Sequence, residues 1–353
     1  MPRALPRPHL RPSSLLVFSV LLCGLVLAAL LAMTIGAAGI PLQRLIAALG
    51  LGSDISGMLA RDQLVLWSIR IPRIAVAAMI GALLAVSRPI MQGLFRNPLA
   101  DPALVGVSSG GAFAAAVAIV LSDSAWGVHL KFLQGQMLPL FAFAGSLLTT
   151  MILYRIASRN GRTSVALFLL AGLAIAALAN AGIGLLVFMA DDRQLRDITF
   201  WLLGSISGAT WTKGLSIAPI ALISLLAIPL VARGLDVLAL GEAEAFHSGV
   251  NVERLKKISI VMVSAMTGAA VSICGVIGFV GIVVPHLLRL MIGPGHRMLL
   301  PASAFLGAIL LIGADTLARV LAAPAEVPIG ILTATVGAPF FLYMLLRQRG
   351  LGI

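Results

Sequence analysis

Repeated long runs of apolar sequence constrain this chain more than any other feature. They lie at roughly 14–38, 64–87, 103–121, 136–155, 163–189, 214–232, 258–277, 279–292, 299–321 and 329–346. A helix needs about 20 apolar residues to cross a ~30 Å hydrocarbon core, and only helices and closed barrels satisfy every backbone group there. Strand-like alternation is absent, so the pattern predicts an all-α polytopic membrane protein of about ten transmembrane helices. Composition agrees: 60% of residues are hydrophobic and 11% charged, against about 25% charged in a soluble domain. The third and eighth runs carry glycine and proline, and the eighth is short.

The formal charge of +12 raises the question of nucleic acid, but no basic patch is interleaved with aromatic residues, so the chain is not read as a nucleic-acid binder. The charge follows membrane sidedness instead. With the basic stretch MPRALPRPHLRPSS in the cytoplasm, residues 1–13, 88–102, 156–162, 233–257, 293–298 and the C-terminal tail face inward. That side then holds roughly two thirds of the lysines and arginines, as the positive-inside rule requires. Both termini are therefore expected in the cytoplasm. The first run is nearer 25 residues than the 7–15 of a signal peptide, so it reads as a retained span. Cys23 and Cys274 both lie inside apolar runs, which speaks against a disulfide framework.

Ten spans divide into two halves of five, and an odd number per half places the halves in opposite orientation. Each half has a long helix, a Gly/Pro-rich break and a short span: NPLADPALVGVSSG in the first, CGVIGFVGIVVPHLLR in the second. Gly275, Gly278 and Gly281 recur every three residues, a spacing that permits close helix contact. On the outer side, Leu42, Leu45, Ile46 and Leu49 form a helical stripe within 41–63, suggesting an interfacial helix. Residues 190–213 mix charges with Trp201 and Trp211, as at a headgroup belt. Residues 322–330 read as a proline-rich turn.

The segment 233–257 is the longest strongly charged one. Gly241 and Gly249 bracket EAEAFHS, about two helical turns with Glu242 and Glu244 where the helix dipole favours negative charge. So short a helix is marginal alone and needs something to dock against. No Ser/His/Asp ordering, HExxH pair or CxxC motif is present, no metal site is predicted, and there is no GxxxxGK[ST] loop. Catalytic residues are therefore not expected. If transport is ATP-driven, the ATPase is another polypeptide. Ion coupling is disfavoured by the lack of acidic residues at mid-helix; Asp315, near Arg319, comes nearest.

Several stretches together resemble one family. They are RIPR at 70–73, GLFRNPLADPALVGVSSG at 93–110, TFWLLGSISGATW at 199–211, LGEAEAFHSGV at 240–250, GFVGIVVPHLLR at 278–289, HRMLLPAS at 296–303 and AEVPIGILTATVGAPFF at 325–341. In order and spacing the chain resembles the FecCD-type permeases, membrane subunits of ATP-binding cassette (ABC) importers for haem, ferric siderophores and cobalamin. The resemblance implies a cobalamin-permease-like type II importer fold, with 1–353 as one transmembrane domain that carries no permanently bound cofactor. It implies a homodimer in the bacterial cytoplasmic (inner) membrane, two partner ATPase subunits that hydrolyse the ATP, and a periplasmic substrate-binding protein.

The resemblance also assigns residues. Coupling to the ATPase would fall to Leu240, Gly241, Glu242, Ala243, Glu244, Phe246, Gly249 and Val250, with Phe246 and Val250 as apolar anchors and the two glutamates meeting basic groups at the rim. Arg70, Arg73 and Arg319 would dock glutamates of the binding protein; the planar guanidinium fork suits such pairing. Arg88, Met91 and Gln92 would lie along the substrate pathway. Here the chain departs from the family, because Arg88 stands where a glycine is usual. Arg88 is either a group facing substrate or one reaching to the inner leaflet. Met91 and His286 are conceivable iron ligands, although a lone methionine in a membrane helix more often packs. The stretch DDRQLRDITFWLLGSISGATW is most similar to the haem-uptake members, making haem the expected substrate. A ferric siderophore or cobalamin is the alternative, and a stand-alone secondary transporter the less favoured one.

Overall fold

The computed structural model describes residues 13–36, 39–52, 57–97, 100–102, 106–122, 136–159 and 162–349. Helices make up nearly all of it: α1 (Ser14–Thr34), α2 (Leu42–Ala48), α3 (Leu59–Phe95), α4 (Val107–Ser122), α5 (Met137–Ala157), α6 (Val165–Met189), α7 (Asp192–Leu202), α8 (Trp211–Leu226), α9 (Ile228–Leu238), α10 (Glu242–His247), α11 (Val252–Cys274), α12 (Val280–Ile292), α13 (His296–Leu321) and α14 (Ile329–Arg349). The exception is a small hairpin, β1 (Ser158–Arg159) with β2 (Arg162–Thr163), paired antiparallel between α5 and α6.

Side-chain caps start many of these helices. Ser13, Ser164, Asp191, Thr210 and Asn251 each accept a hydrogen bond from the backbone N–H three residues on, for α1, α6, α7, α8 and α11. Each satisfies a donor that has no partner within its helix.

Every expected span has a helical counterpart, though not every one crosses alone. Among the described residues, six helices are long and apolar enough to cross a membrane: α1, α3, α5, α6, α11 and α13. The sixth expected span is the pair α8 and α9, bent by 47° at Ala227. The third, eighth and tenth correspond to shorter apolar helices, α4, α12 and the first part of α14. The 13 residues of α12 rise only about 20 Å, short of the ~30 Å core. Irregular backbone must cover the remaining depth, which is tolerable only where protein surrounds it. The segment before α12 meets this condition: Ser205 N–H donates to Cys274 O at 2.8 Å and Gly330 N–H to Gly204 O at 3.3 Å. Gly275, at φ +70, has the Trp201 carbonyl where a Cβ would sit, so the approach requires glycine.

The packing carries the signature of duplicated halves. Exchange of α3 with α11, α4 with α12, α5 with α13 and α6 with α14 turns each observed contact into another. The pair α3–α13 becomes α11–α5, α3–α12 becomes α11–α4, α4–α5 becomes α12–α13, α4–α6 becomes α12–α14, and α5–α6 becomes α13–α14. The α3–α11 contact maps onto itself. The opening helices break the rule, because α1 packs on α13 while α8 and α9 pack on α3 and α11.

Outside the bundle, α2 is the expected interfacial helix, with Leu45 buried and Leu42 and Ile46 exposed. Arg44 clamps it to α3 through a bidentate pair with Asp62, at 2.7 and 2.6 Å. Trp211 Nε1–H donates to Trp67 O at 2.9 Å, tying α8 to α3.

The tightest crossing joins the halves. At α3–α13, a Cβ on Gly81 would strike the Gly307 backbone, and one on Gly307 would strike Gly81 and the Ala85 Cβ. Gly313, two turns along the same helix, has open space. Gly307→Ala is therefore expected to lower stability by about 1–3 kcal/mol through overpacking. Gly313→Ala should be neutral or slightly stabilising through helix propensity. Thermal unfolding of the two variants in detergent compares them directly.

Candidate functional site

The charged segment 233–257 folds as α10 held between α9 and α11. Gly241 (φ +132) and Gly249 (φ +79) make the two turns, and neither has a neighbour that a Cβ would meet. Their requirement is conformational rather than steric. Ala245 is the one buried residue of the helix, while Leu240 and Phe246 are 75% and 74% exposed. Val250 instead packs against the chain's own core.

Lys256 of α11, 3% exposed, places Nζ 3.1 Å from Glu242 Oε1, 3.0 Å from Glu253 Oε1 and 3.3 Å from Thr163 O. Glu242 thus meets its cation within the chain, and Glu244 stays exposed. A second tie runs from α9, where Asp236 Oδ1 accepts the His296 N–H at 2.7 Å and lies 2.8 Å from His296 Nδ1 at the start of α13. Beside α10 opens a groove of about 1640 Å³, bounded by the end of α3 (Leu94–Asn97), the start of α6 and the loop from Gly249 to Glu253.

Arg70 and Arg319 converge on the C-terminal end of α1, while Arg73 binds carboxylates. Arg70 donates to Met33 O, and Arg319 donates to Ile35 O at 3.1 Å and Ala32 O at 3.4 Å. These carbonyls belong to the last turn and its cap, where helical partners run out. Arg73 donates Nε and Nη2 to Asp315 at 2.8–3.0 Å, and Nη1 and Nη2 to Glu326 at 2.8 and 2.9 Å. Arg319 Nε is 3.3 Å from Asp315 Oδ2. The side chains of Arg73 and Arg319 are about nine-tenths covered. A carboxylate approaching from outside would therefore have to displace one already in place.

Arg88 takes a setting that the sequence did not suggest. It is buried in α3 and pairs through Nη1 with Asp101, in the segment after that helix. Gly281 of α12 lies against its stem, so that a methyl group at 281 would sit 3.1 Å from Arg88 Cβ. Met91 and Gln92 are buried with it. The cause is the position of α3, covered by α8, α9, α11, α12 and α13. His286 stacks edge-on against Phe340 at 5.8 Å, away from Met91. Among the described residues no three His, Cys, Asp or Glu side chains gather as a metal site.

Asp315 holds both Arg73 and Arg319, so Asp315→Ala leaves two buried guanidinia short of charge. Breaking such a network by removing one member costs about 3–5 kcal/mol. Glu244→Ala, on an exposed surface, should change stability by no more than about 0.5 kcal/mol. Unfolding of the purified chain in detergent is expected to show that ordering.

Residues 24–347 match the FecCD transport family. The hemin transport system permease protein of Yersinia pestis is 45% identical over 318 residues, covering 86% of this chain and 94% of that protein. The cobalamin import system permease protein of Halobacterium salinarum is 44% identical over 287 residues, covering 81% and 74%. The vitamin B12 import system permease protein of Klebsiella pneumoniae is 41% identical over 294 residues, covering 83% and 86%. Among solved structures, a metal-chelate type ABC transporter in an inward-facing conformation superposes with a TM-score of 0.81 at 31% identity, covering 95% of this chain and all of that one. Family, relatives and fold agree along nearly the whole sequence: the chain belongs to the FecCD transport family and is the permease subunit of an ABC importer.

Proposed function

We propose that this permease imports haem as a homodimer in the bacterial inner membrane, with both termini in the cytoplasm. It receives substrate from a periplasmic binding protein and is driven by two separate ATPase subunits. The coupling half of this reading is carried by one observation. Phe246 presents apolar surface to solvent from α10, whose other side is fixed to the bundle, and Leu240 does so from the turn that precedes it. Exposed aromatic anchors of this kind concentrate binding energy when a partner pocket buries them. Leu240, Gly241, Glu242, Ala243, Glu244, Phe246, Gly249 and Val250 then divide the work. Phe246 and Leu240 insert, Glu244 meets the rim, Glu242 and Val250 hold the helix against the bundle, and Gly241 and Gly249 make the turns at its ends.

The haem assignment rests on the hemin permease relative, of whose length this chain covers 94%, together with the 191–211 segment. Cobalamin is the second reading, favoured by a cobalamin import permease at 44% identity. Arg70, Arg73 and Arg319 serve binding-protein docking by exchange: an incoming carboxylate competes with Glu326, the more exposed of the two acidic partners. Arg88 acts through Asp101, closing the inner side of the pathway near Met91 and Gln92.

Reconstitution with the cognate ATPase and binding protein, assayed in parallel with haem, cobalamin and a ferric siderophore, should show ATP-dependent accumulation of haem above the others. Preference for cobalamin would select the second reading. The purified chain alone should neither hydrolyse ATP nor accumulate substrate, and uptake without an ATPase subunit would contradict the importer mechanism. Phe246→Asp should weaken ATPase association by roughly thirtyfold, the equivalent of about 2 kcal/mol at an interface anchor. Titration of the ATPase subunit onto detergent-solubilised permease measures this.

A further inference from the structure

We infer that Lys256 is the positioning residue that makes α10 a rigid lever, joining it to the β1–β2 hairpin and the start of α6 as well as to α11. The inference rests on the reading that α10 receives the ATPase. Covalently, α10 is attached through Gly241 and Gly249, two residues at positive φ with open space where a Cβ would sit. Ala245 alone is buried. A two-turn helix held only in this way would swing on its glycines when pushed, and little of the displacement would reach the membrane helices.

Lys256 removes that freedom. Its ammonium group donates hydrogen bonds to Glu253 of α11 and to the Thr163 carbonyl of β2, and forms an ion pair with Glu242 of α10. The linkage continues beyond the lysine. Thr163 Oγ1 donates to Glu253 Oε2 at 3.2 Å and lies 2.9 Å from Ser158 Oγ, across the hairpin. The next residue, Ser164, caps α6. A buried cation in the opening turns of a helix opposes the helix dipole and loses hydration. Packing alone gives no reason to keep one there, whereas the two carboxylates and the carbonyl make it a three-way joint. Glu242 is the half-exposed member, so the joint is closed on the bundle side and accessible on the side where a partner would press.

Two readouts separate this role from simple folding. In the full chain with Cys23 and Cys274 replaced, spin labels at Ala243→Cys and Leu167→Cys report the distance between α10 and α6. Lys256→Met should broaden that distribution and Lys256→Arg should retain it. In the complex reconstituted with ATPase and binding protein, Lys256→Met should leave ATPase association within about twofold. It should lower haem accumulated per ATP hydrolysed by roughly tenfold, within the range of mutations that weaken coupling without touching a ligand. An unchanged distance distribution together with an unchanged transport ratio would overturn the inference. So would loss of ATPase association with the distance unchanged, which would make Lys256 part of the docking surface. Retained association in Phe246→Asp would instead remove the docking reading, and the distance measurement on the permease alone would still test the joint.

Discussion

A cation buried among packed helices must bring its counter-charge with it, and this requirement organises the interior of the permease. Arg73 is neutralised by Asp315 and Glu326, Arg88 by Asp101, and Lys256 by Glu242 and Glu253. Arg73 reaches from the first half to the second, so its pairs fasten the two repeats. Lys256 joins three elements, α10, α11 and β2. In water each pair would be worth little. Behind helices that exclude water, loss of one partner strands a charge, so each pair fixes the elements that it joins.

The spans and the short helix between Gly241 and Gly249 were legible because hydrophobic length and glycine punctuation are local signals. EAEAFHS between Gly241 and Gly249 became a helix at Glu242–His247 for the reasons its sequence supplies. The full extent of α3 was less legible: the apolar run ended near residue 87, yet the helix runs to Phe95. Neighbouring helices bury that end and Asp101 neutralises Arg88, and neither fact can be read from a window of sequence.

The candidate site divides in the same way. The residue types at 70, 73, 319 and 240–250 could be picked out by motif, but their partners could not. Asp315, four residues before Arg319, was visible as a helical neighbour. Its main companion, Arg73, is far away in the chain. Glu326 looked like part of a turn, and Lys256 like one more positive charge on the inner side. Pairing across such distances depends on how the helices assemble.

The crossing of α3 and α13 at Gly81 and Gly307 has a mechanical consequence. Where backbone rests on backbone there are no rotamers to readjust, so the contact can roll or hold but cannot compress. The two longest helices of the bundle therefore behave as crossed beams with a fixed bearing point between their ends. A displacement of these helices at one end would then reappear, with opposite sense, at the other, where Arg73 meets Asp315.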